Sequence, residues 1–394
     1  MKLTAPTFLL SLLTTTTLAS QNDTEPALLP NPTGPYATDI KALELTDHSR
    51  IDPYDPNHGP RKLMVSIFTP TVPAKKCSHW QAYPYAPPRT AELLEPLLEA
   101  FGWPNSTEYL KRLRLPICPS QRQSWREKQF PVVLFSHGLG AIRLASSSQA
   151  QAVAANGFVV ITIDHPYDAA VIEYPDGSIV TGRNLTSSQE LDGDVQTRSK
   201  DASFIIDELS NRQSILHQHC GPVAKSKVAM FGHSLGGASS VRAAYDDARI
   251  LAAIDLDGSP YGFNTTGTTE ADLAFHLPSM HTPFLLFDEP AFVDTAGLPT
   301  LYNAFTGWKR HLALEGSFHL TFTDLPLLVD TFGLRGTLPP AFEAIVGTIP
   351  GLRARDVVSE YVAAFMGKWL KGEDGGLLDG PSGEFPEVEF VAVG

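Results

Sequence analysis

The stretch Lys227-Val228-Ala229-Met230-Phe231-Gly232-His233-Ser234-Leu235-Gly236-Gly237 decides how this chain is read. Lys227 to Phe231 form a strand-like run, apolar from Val228 on, and Leu235 to Tyr245 have helical spacing. Between them stands Gly-His-Ser-Leu-Gly. A serine in a tight strand-to-helix turn is presented at the end of a sheet, and flanking glycines let the two backbones pass closely. The pentapeptide alone is a weak signal in a chain with 30 glycines. The strand before it and the helix after it make it a strong one.

The same alternation continues on both sides. Pro131–Ser136, Phe158–Ile163, Leu251–Leu256, Pro283–Phe287 and His311–Leu314 are further apolar strands, and Lys62–Phe68 is an earlier alternating one. Ala145–Ala155, roughly Val195–His217 and roughly Ala354–Leu370 read as helices. Continuous apolar strands between helices predict an α/β protein: a mostly parallel central sheet with helices on both faces. One domain is expected over 61–371. About sixty residues from Thr69 to Gln129 are too many for a simple connection, so 69–129 reads as an insertion shaping a substrate entrance. Residues 21–60 read as an extended arm and 372–394 as a peripheral tail.

Composition narrows the function. Of 394 residues 43% are apolar and 19% charged, enough for a packed core, and the net charge of −13 opposes binding to nucleic acid. No apolar run reaches the ~18 residues of a transmembrane helix. At the start, Lys2, the apolar Phe8–Leu13 and the small residues Ala19-Ser20 have the layout of a secretory signal peptide over residues 1–20. In a secreted, extracellular protein, Asn22, Asn105, Asn184 and Asn264 are glycosylation acceptors that must lie on the surface. Of the three cysteines, Cys77 and Cys118 share one irregular segment and are the expected disulfide, worth about 4 kcal/mol by loop closure. Cys220 follows His217-Gln218-His219, but no fourth ligand stands at metal-site spacing, so a helix end is expected there and no metal.

A serine nucleophile needs a base and an acid, ordered Ser, acid, His in hydrolases of this kind. His276 and His281 precede the strand that should carry or follow the acid, and His311 lies inside a strand. His319, in Gly316-Ser317-Phe318-His319, follows the last strand and suits a mobile base. Asp255, Asp257, Asp288 and Glu289 all stand at strand ends, and spacing does not choose between Asp257 and Asp288. Phe135-Ser136-His137-Gly138-Leu139-Gly140-Ala141-Ile142-Arg143 has two readings. With Asp164 it imitates a dinucleotide fingerprint, but Arg143 stands where the third glycine belongs. As a loop after an early strand it supplies an oxyanion-hole N–H, and this is the favoured reading. No cofactor is called for.

These segments, together with Phe322 and Asp324 after His319 and Phe101-Gly102-Trp103-Pro104 with Glu108-Tyr109, resemble the secreted platelet-activating factor acetylhydrolase family over roughly residues 60–325. The resemblance implies an α/β-hydrolase fold and a calcium-independent serine esterase. It implies Asp257 as the acid, one strand after the nucleophile strand, with Ser234 and His319, and the N–H groups of Leu139 and Leu235 as oxyanion donors. The implied substrates are phospholipids with a short or oxidised sn-2 acyl group, with transient contact at a lipid surface. The chain departs from the vertebrate pattern after the acid, where Gly258-Ser259-Pro260 replaces bulkier residues. A broad secreted carboxylesterase or lipase is the nearest alternative, and a non-catalytic binding protein a more distant one. The apolar residues Leu325, Leu327, Leu328, Val329, Phe332 and Leu334 read as a buried helix rather than an interfacial face.

Overall fold

In the central strands successive side chains serve two different cores. Along Phe130–Ser136, Val133 and Phe135 face one apolar cluster while Val132 and Leu134 face the other. The same split recurs at Val228 to Phe231. A strand that must satisfy a core on each side has no polar face, which explains the unbroken apolar runs. This is a computed structural model, and it describes residues 25–119, 129–185, 187–220, 223–263, 277–293 and 297–394. The expected signal peptide, Asn22, Asn264 and His276 lie outside the described residues.

In chain order the strands are β1 (Ala27–Leu28), β2 (Tyr36–Ile51), β3 (Pro60–Pro73), β4 (Gln81–Pro84), β5 (Leu113–Ile117), β6 (Phe130–Ser136), β7 (Val159–Asp164), β8 (Val171–Glu173), β9 (Ile179–Thr181), β10 (Val223–His233), β11 (Ile250–Leu256), β12 (Phe284–Asp288), β13 (Lys309–Leu314) and β14 (Val388–Val393). Nine form one sheet in the order β14-β13-β12-β11-β10-β6-β7-β3-β2. The run from β7 through β6, β10, β11 and β12 to β13 is parallel; β2, β3 and β14 join antiparallel. Helix α1 (Pro88–Ala100) and α2 (Ser106–Arg112) belong to the insertion, α3 (Ser147–Ala155) follows β6, and α4 (Ser188–Ser210), α5 (Ile215–Cys220) and α6 (Leu235–Asp246) come next. Helix α3 packs with Gly351–Met366 over one face of the sheet, and α4 and α6 pack over the other.

Several expectations need correction. The arm at 21–60 carries β2, a 16-residue edge strand paired along β3, and the tail at 372–394 ends in β14, which closes the opposite edge. Strand β3 runs on to Pro73, so the insertion departs there rather than at residue 69. Its strand β5 lies between β4 and β1 in a separate three-stranded sheet. The helix expected over 195–217 begins earlier, at Ser188 behind a Ser187/Glu190 capping box, and ends at Ser210; α5 is distinct and ends at Cys220.

Cys77 and Cys118 are bonded, with Cα atoms 6.2 Å apart, and so close the neck of the insertion. Leu327, Leu328 and Val329 are buried, and Leu325, Phe332 and Leu334 pack against the same core. Among the described residues no helix is long and apolar enough to cross a membrane.

Candidate active site

The turn between β10 and α6 holds Ser234 at φ 56° and ψ −123°, a backbone conformation that side chains seldom adopt. Strain of this kind costs about 1–3 kcal/mol and persists where the surroundings enforce it. Here the enforcement is visible. A Cβ on Gly232 would stand 2.1 Å from the Gly236 carbonyl oxygen, and one on Gly236 would stand 2.0 Å from that of Ser136. The helix start is thus pressed against both the end of β10 and the exit of β6. The Ser234 N–H donates to the Leu256 carbonyl at 2.8 Å, tying the turn to β11.

One residue past the end of β11, Asp257 also has a positive φ of 56°. Its N–H bonds the Phe287 carbonyl at 3.1 Å, and its Oδ1 accepts the Glu289 N–H at 2.8 Å. Its Oδ2 lies 2.5 Å from His319 Nδ1, and His319 Nε2 lies 3.1 Å from Ser234 Oγ. The aspartate is buried, whereas the His319 side chain is 38% exposed and open to an incoming molecule. Three residues from three separate strand ends thus meet at the carboxyl edge of the parallel sheet, where such folds place their ligands.

The rival acid has another partner. Asp288 is fully buried and its Oδ2 lies 2.8 Å from Nε2 of His311, on the neighbouring strand. Burial first, then the nearby Asp257 and Asp255, push the Asp288 carboxyl well above the usual range. Burial and Asp257 do the same to Asp255, which packs behind the elbow where a Cβ on Gly237 would strike it. Glu289 is raised to about 7, by burial and then by Asp257. His281 bonds Thr306 Oγ1 at 2.7 Å at an exposed position.

On the other side of Ser234 runs the loop after β6. A Cβ on Gly138 would lie 3.4 Å from that of Ser234, so this glycine seats the loop against the elbow. Leu139 follows and is 45% exposed, and Leu235 opens α6. The N–H groups at a helix start have no intrahelical partner and favour negative charge. Asp164, the acid of the dinucleotide reading, is buried and bonded to Arg143 through both its N–H and its guanidinium, which leaves no ribose site there. Among the described residues no three His, Cys, Asp or Glu side chains are grouped to hold a metal ion.

Two features were not found in the sequence. His233, the residue before Ser234 in the pentapeptide, places its Nε2 2.9 Å from the His319 carbonyl oxygen. Burial, then proximity to His319, holds its pKa well below the usual histidine range, so the neutral ring donates from Nε2. The second is an apolar cavity of about 190 Å³ beside the loop, lined by Leu94, Leu98 and Trp103 of the insertion and by Leu139, Leu320 and Phe342.

The profile of the platelet-activating factor acetylhydrolase, isoform II, family matches residues 103–189 and 192–369. A probable 1-alkyl-2-acetylglycerophosphocholine esterase of Arthroderma benhamiae is 32% identical over 382 residues, covering 92% of this chain and 94% of that one. The platelet-activating factor acetylhydrolase of Cavia porcellus is 26% identical over 269 residues, covering 62% and 58%. Among solved structures, a ferulic acid esterase from Streptomyces cinnamoneus superposes with a TM-score of 0.74 at 30% identity, over 93% of this chain and 99% of that one.

Proposed function

The chain belongs to the platelet-activating factor acetylhydrolase, isoform II, family, and on that premise we propose that it is a serine esterase acting through Ser234, His319 and Asp257. The observation that carries the reading is the unbroken series of bonds from Asp257 through His319 to Ser234 Oγ. His319 Nε2 takes the serine proton as Oγ attacks the ester carbonyl. Asp257 holds the ring with its hydrogen on Nδ1 and stabilises the imidazolium that forms. The N–H groups of Leu139 and Leu235 meet the developing oxyanion; one such donor is worth about 3 kcal/mol at the barrier. The alcohol leaves with the proton from His319, and water, activated by the same histidine, releases the acid from Ser234.

The substrates are phospholipids of the platelet-activating factor type, with a short or oxidised sn-2 acyl group. The family supports this, and so does the apolar cavity beside Leu139, which offers lipid chains a wall supplied by the insertion. A broader carboxylesterase is favoured by one finding, the extent of the superposition on a ferulic acid esterase. Secretion is part of the same proposal. A disulfide at the insertion neck suits an oxidising compartment, and Asn105 and Asn184 are exposed as acceptors must be.

The test is hydrolysis of sn-2 acetyl, butyryl and palmitoyl phosphatidylcholines without calcium, with Ser234→Ala alongside. Release of short chains only, abolished in the variant, is the expected result. Equal release of palmitate moves the assignment to a general esterase, and activity surviving in Ser234→Ala overturns the site.

A further inference from the structure

A second serine–histidine–aspartate string lies beneath the loop that carries Leu139. Ser136 Oγ is 3.0 Å from His165 Nε2, and His165 Nδ1 is 2.9 Å from Asp201 Oδ2. All three side chains are fully buried. They are bonded as the members of a hydrolytic triad are, yet no ester can reach them.

Arg198, itself buried, gives the string a direction. A guanidinium only donates. Its Nε and Nη2 bond the two oxygens of Asp168, each at 2.6 Å, while Nη1 donates to Ser136 Oγ at 3.1 Å and to the His137 carbonyl at 2.5 Å. Asp201 is ion-paired with Arg61 and only accepts, so the neutral His165 ring holds its hydrogen on Nδ1, and its Nε2 accepts a hydrogen bond from the Ser136 O–H. Burial, with Arg198 close by, holds both His137 and His165 at about 4, so both rings are neutral near pH 7 as this scheme needs.

The string ends at the oxyanion loop. His137 Nδ1 is 2.7 Å from the Gly138 carbonyl oxygen, and because a carbonyl only accepts, the ring donates. The Ala141 N–H reaches the same oxygen at 3.1 Å. That carbonyl belongs to the planar peptide unit whose other end is the Leu139 N–H. Fixing the oxygen fixes the direction of the N–H, and bonds accepted by the oxygen polarise the N–H opposite. Two successive carbonyls, of His137 and Gly138, are thus held by buried donors immediately before the group that must not turn.

We propose that Ser136, His137, His165 and Arg198 are positioning residues that aim the Leu139 N–H at the oxyanion, and that the buried string is a strut rather than a second nucleophile. This rests on the reading of Leu139 as an oxyanion donor given above.

The experiment uses the full chain and compares Ser136→Ala, His137→Leu and His137→Asn with the wild type. Three quantities are measured: kinetics on an sn-2 acetyl phospholipid, inhibition by a trifluoromethyl ketone that forms a tetrahedral oxyanion on the active serine, and binding of an unreactive ether analogue. Ser136→Ala and His137→Leu lose about 10–100-fold in kcat with KM little changed, a part of what removing a whole donor costs. Affinity for the ketone falls by the same factor, while the ether analogue binds as before. His137→Asn, whose side-chain N–H replaces Nδ1–H, recovers most of the loss. Should Ser136→Ala fail to fold, the two His137 variants carry the test. Unchanged ketone affinity, or an Asn variant as impaired as the Leu variant, overturns the strut. So does labelling of Ser136 by a fluorophosphonate in Ser234→Ala. If Ser234→Ala is inactive and the Ser136 and His137 variants are fully active, only the strut fails. If Ser234→Ala is active, the proposed function fails first.

Discussion

His233 donates a hydrogen bond to the main chain of His319: its Nε2 lies 2.9 Å from that residue's carbonyl oxygen. The residue before Ser234 thus holds the loop that brings His319 to it, and the rings of the two histidines lie 4.6 Å apart. A displaced base is expensive, since about 1 Å of misplacement can cost about 100-fold in rate. His233→Phe is therefore expected to lower kcat by about 10–100-fold with little change in KM. His233→Gln, which keeps a donor at a similar reach, should retain more. Single-turnover kinetics of acyl release check this, and equal kcat in His233→Phe and wild type would remove His233 from the account.

The strain at Ser234 makes a second expectation. Glycine tolerates a positive φ at no steric cost, so Ser234→Gly should stabilise the fold by about 1–2 kcal/mol while abolishing hydrolysis. Ser234→Ala should abolish hydrolysis without that gain. Urea unfolding of the three proteins side by side reads the difference.

The two aspartates at neighbouring strand ends should separate cleanly. Asp257→Asn removes the acceptor that sets the His319 tautomer, and a loss of about 10⁴ in kcat is expected. Asp288→Asn disturbs its pair with His311 and leaves the Asp257–His319 bond in place, and should leave kcat within a few-fold of wild type while lowering Tm. Steady-state assays and melting curves on both variants decide the matter. A larger kcat loss in Asp288→Asn than in Asp257→Asn would exchange their roles.

Glu289 offers a dependence on pH. Its carboxyl is raised from 4.5 to about 7 in the folded protein, chiefly by burial and then by Asp257. Between those values the folded chain keeps a proton that the unfolded chain has released. The group's contribution is thus fully present below pH 4.5 and is lost as pH rises through about 7. The buried histidines His137 and His165 act in the opposite sense, since their pKa values are lowered to about 4. The comparison must therefore be between proteins: relative to wild type, Glu289→Gln should gain stability as pH rises from 4.5 to 8. Parallel melts across that range test it, and a difference that does not change with pH would rule it out.

What the sequence disclosed follows from which residues are apolar. The parallel strands were legible because both their faces are covered. Strand β2 was not, because an edge strand carries Asp39, Lys41, Glu44 and Asp47 between its apolar residues, and the prolines on either side resemble a linker. Strand β14 was hidden in the same way behind a Gly-rich stretch. Helix α4 was misplaced because its buried face is ionic: Asp192, Asp194, Arg198 and Asp201 are all buried, and hydropathy registers such a face as solvent-exposed. Its start was nevertheless written in the Ser187/Glu190 capping box. At the site, Ser234 and His319 stood out by motif and position. The choice between Asp257 and Asp288 depended on a cross-strand partner, His311, whose register cannot be seen in one dimension.

The disulfide at the neck of the insertion has a consequence for how substrate preference can diversify. Cys77 and Cys118 hold two points 41 residues apart in sequence at a Cα separation of 6.2 Å, and β4, α1, α2 and β5 all lie between them. This bounded cassette has its own pairing between β4 and β5 and supplies Leu94, Leu98 and Trp103 to the cavity, but no strand to the main sheet. Changes at Leu94, Leu98 and Trp103 would thus reshape the cavity without altering any strand of the sheet at whose end Ser234, Asp257 and His319 meet.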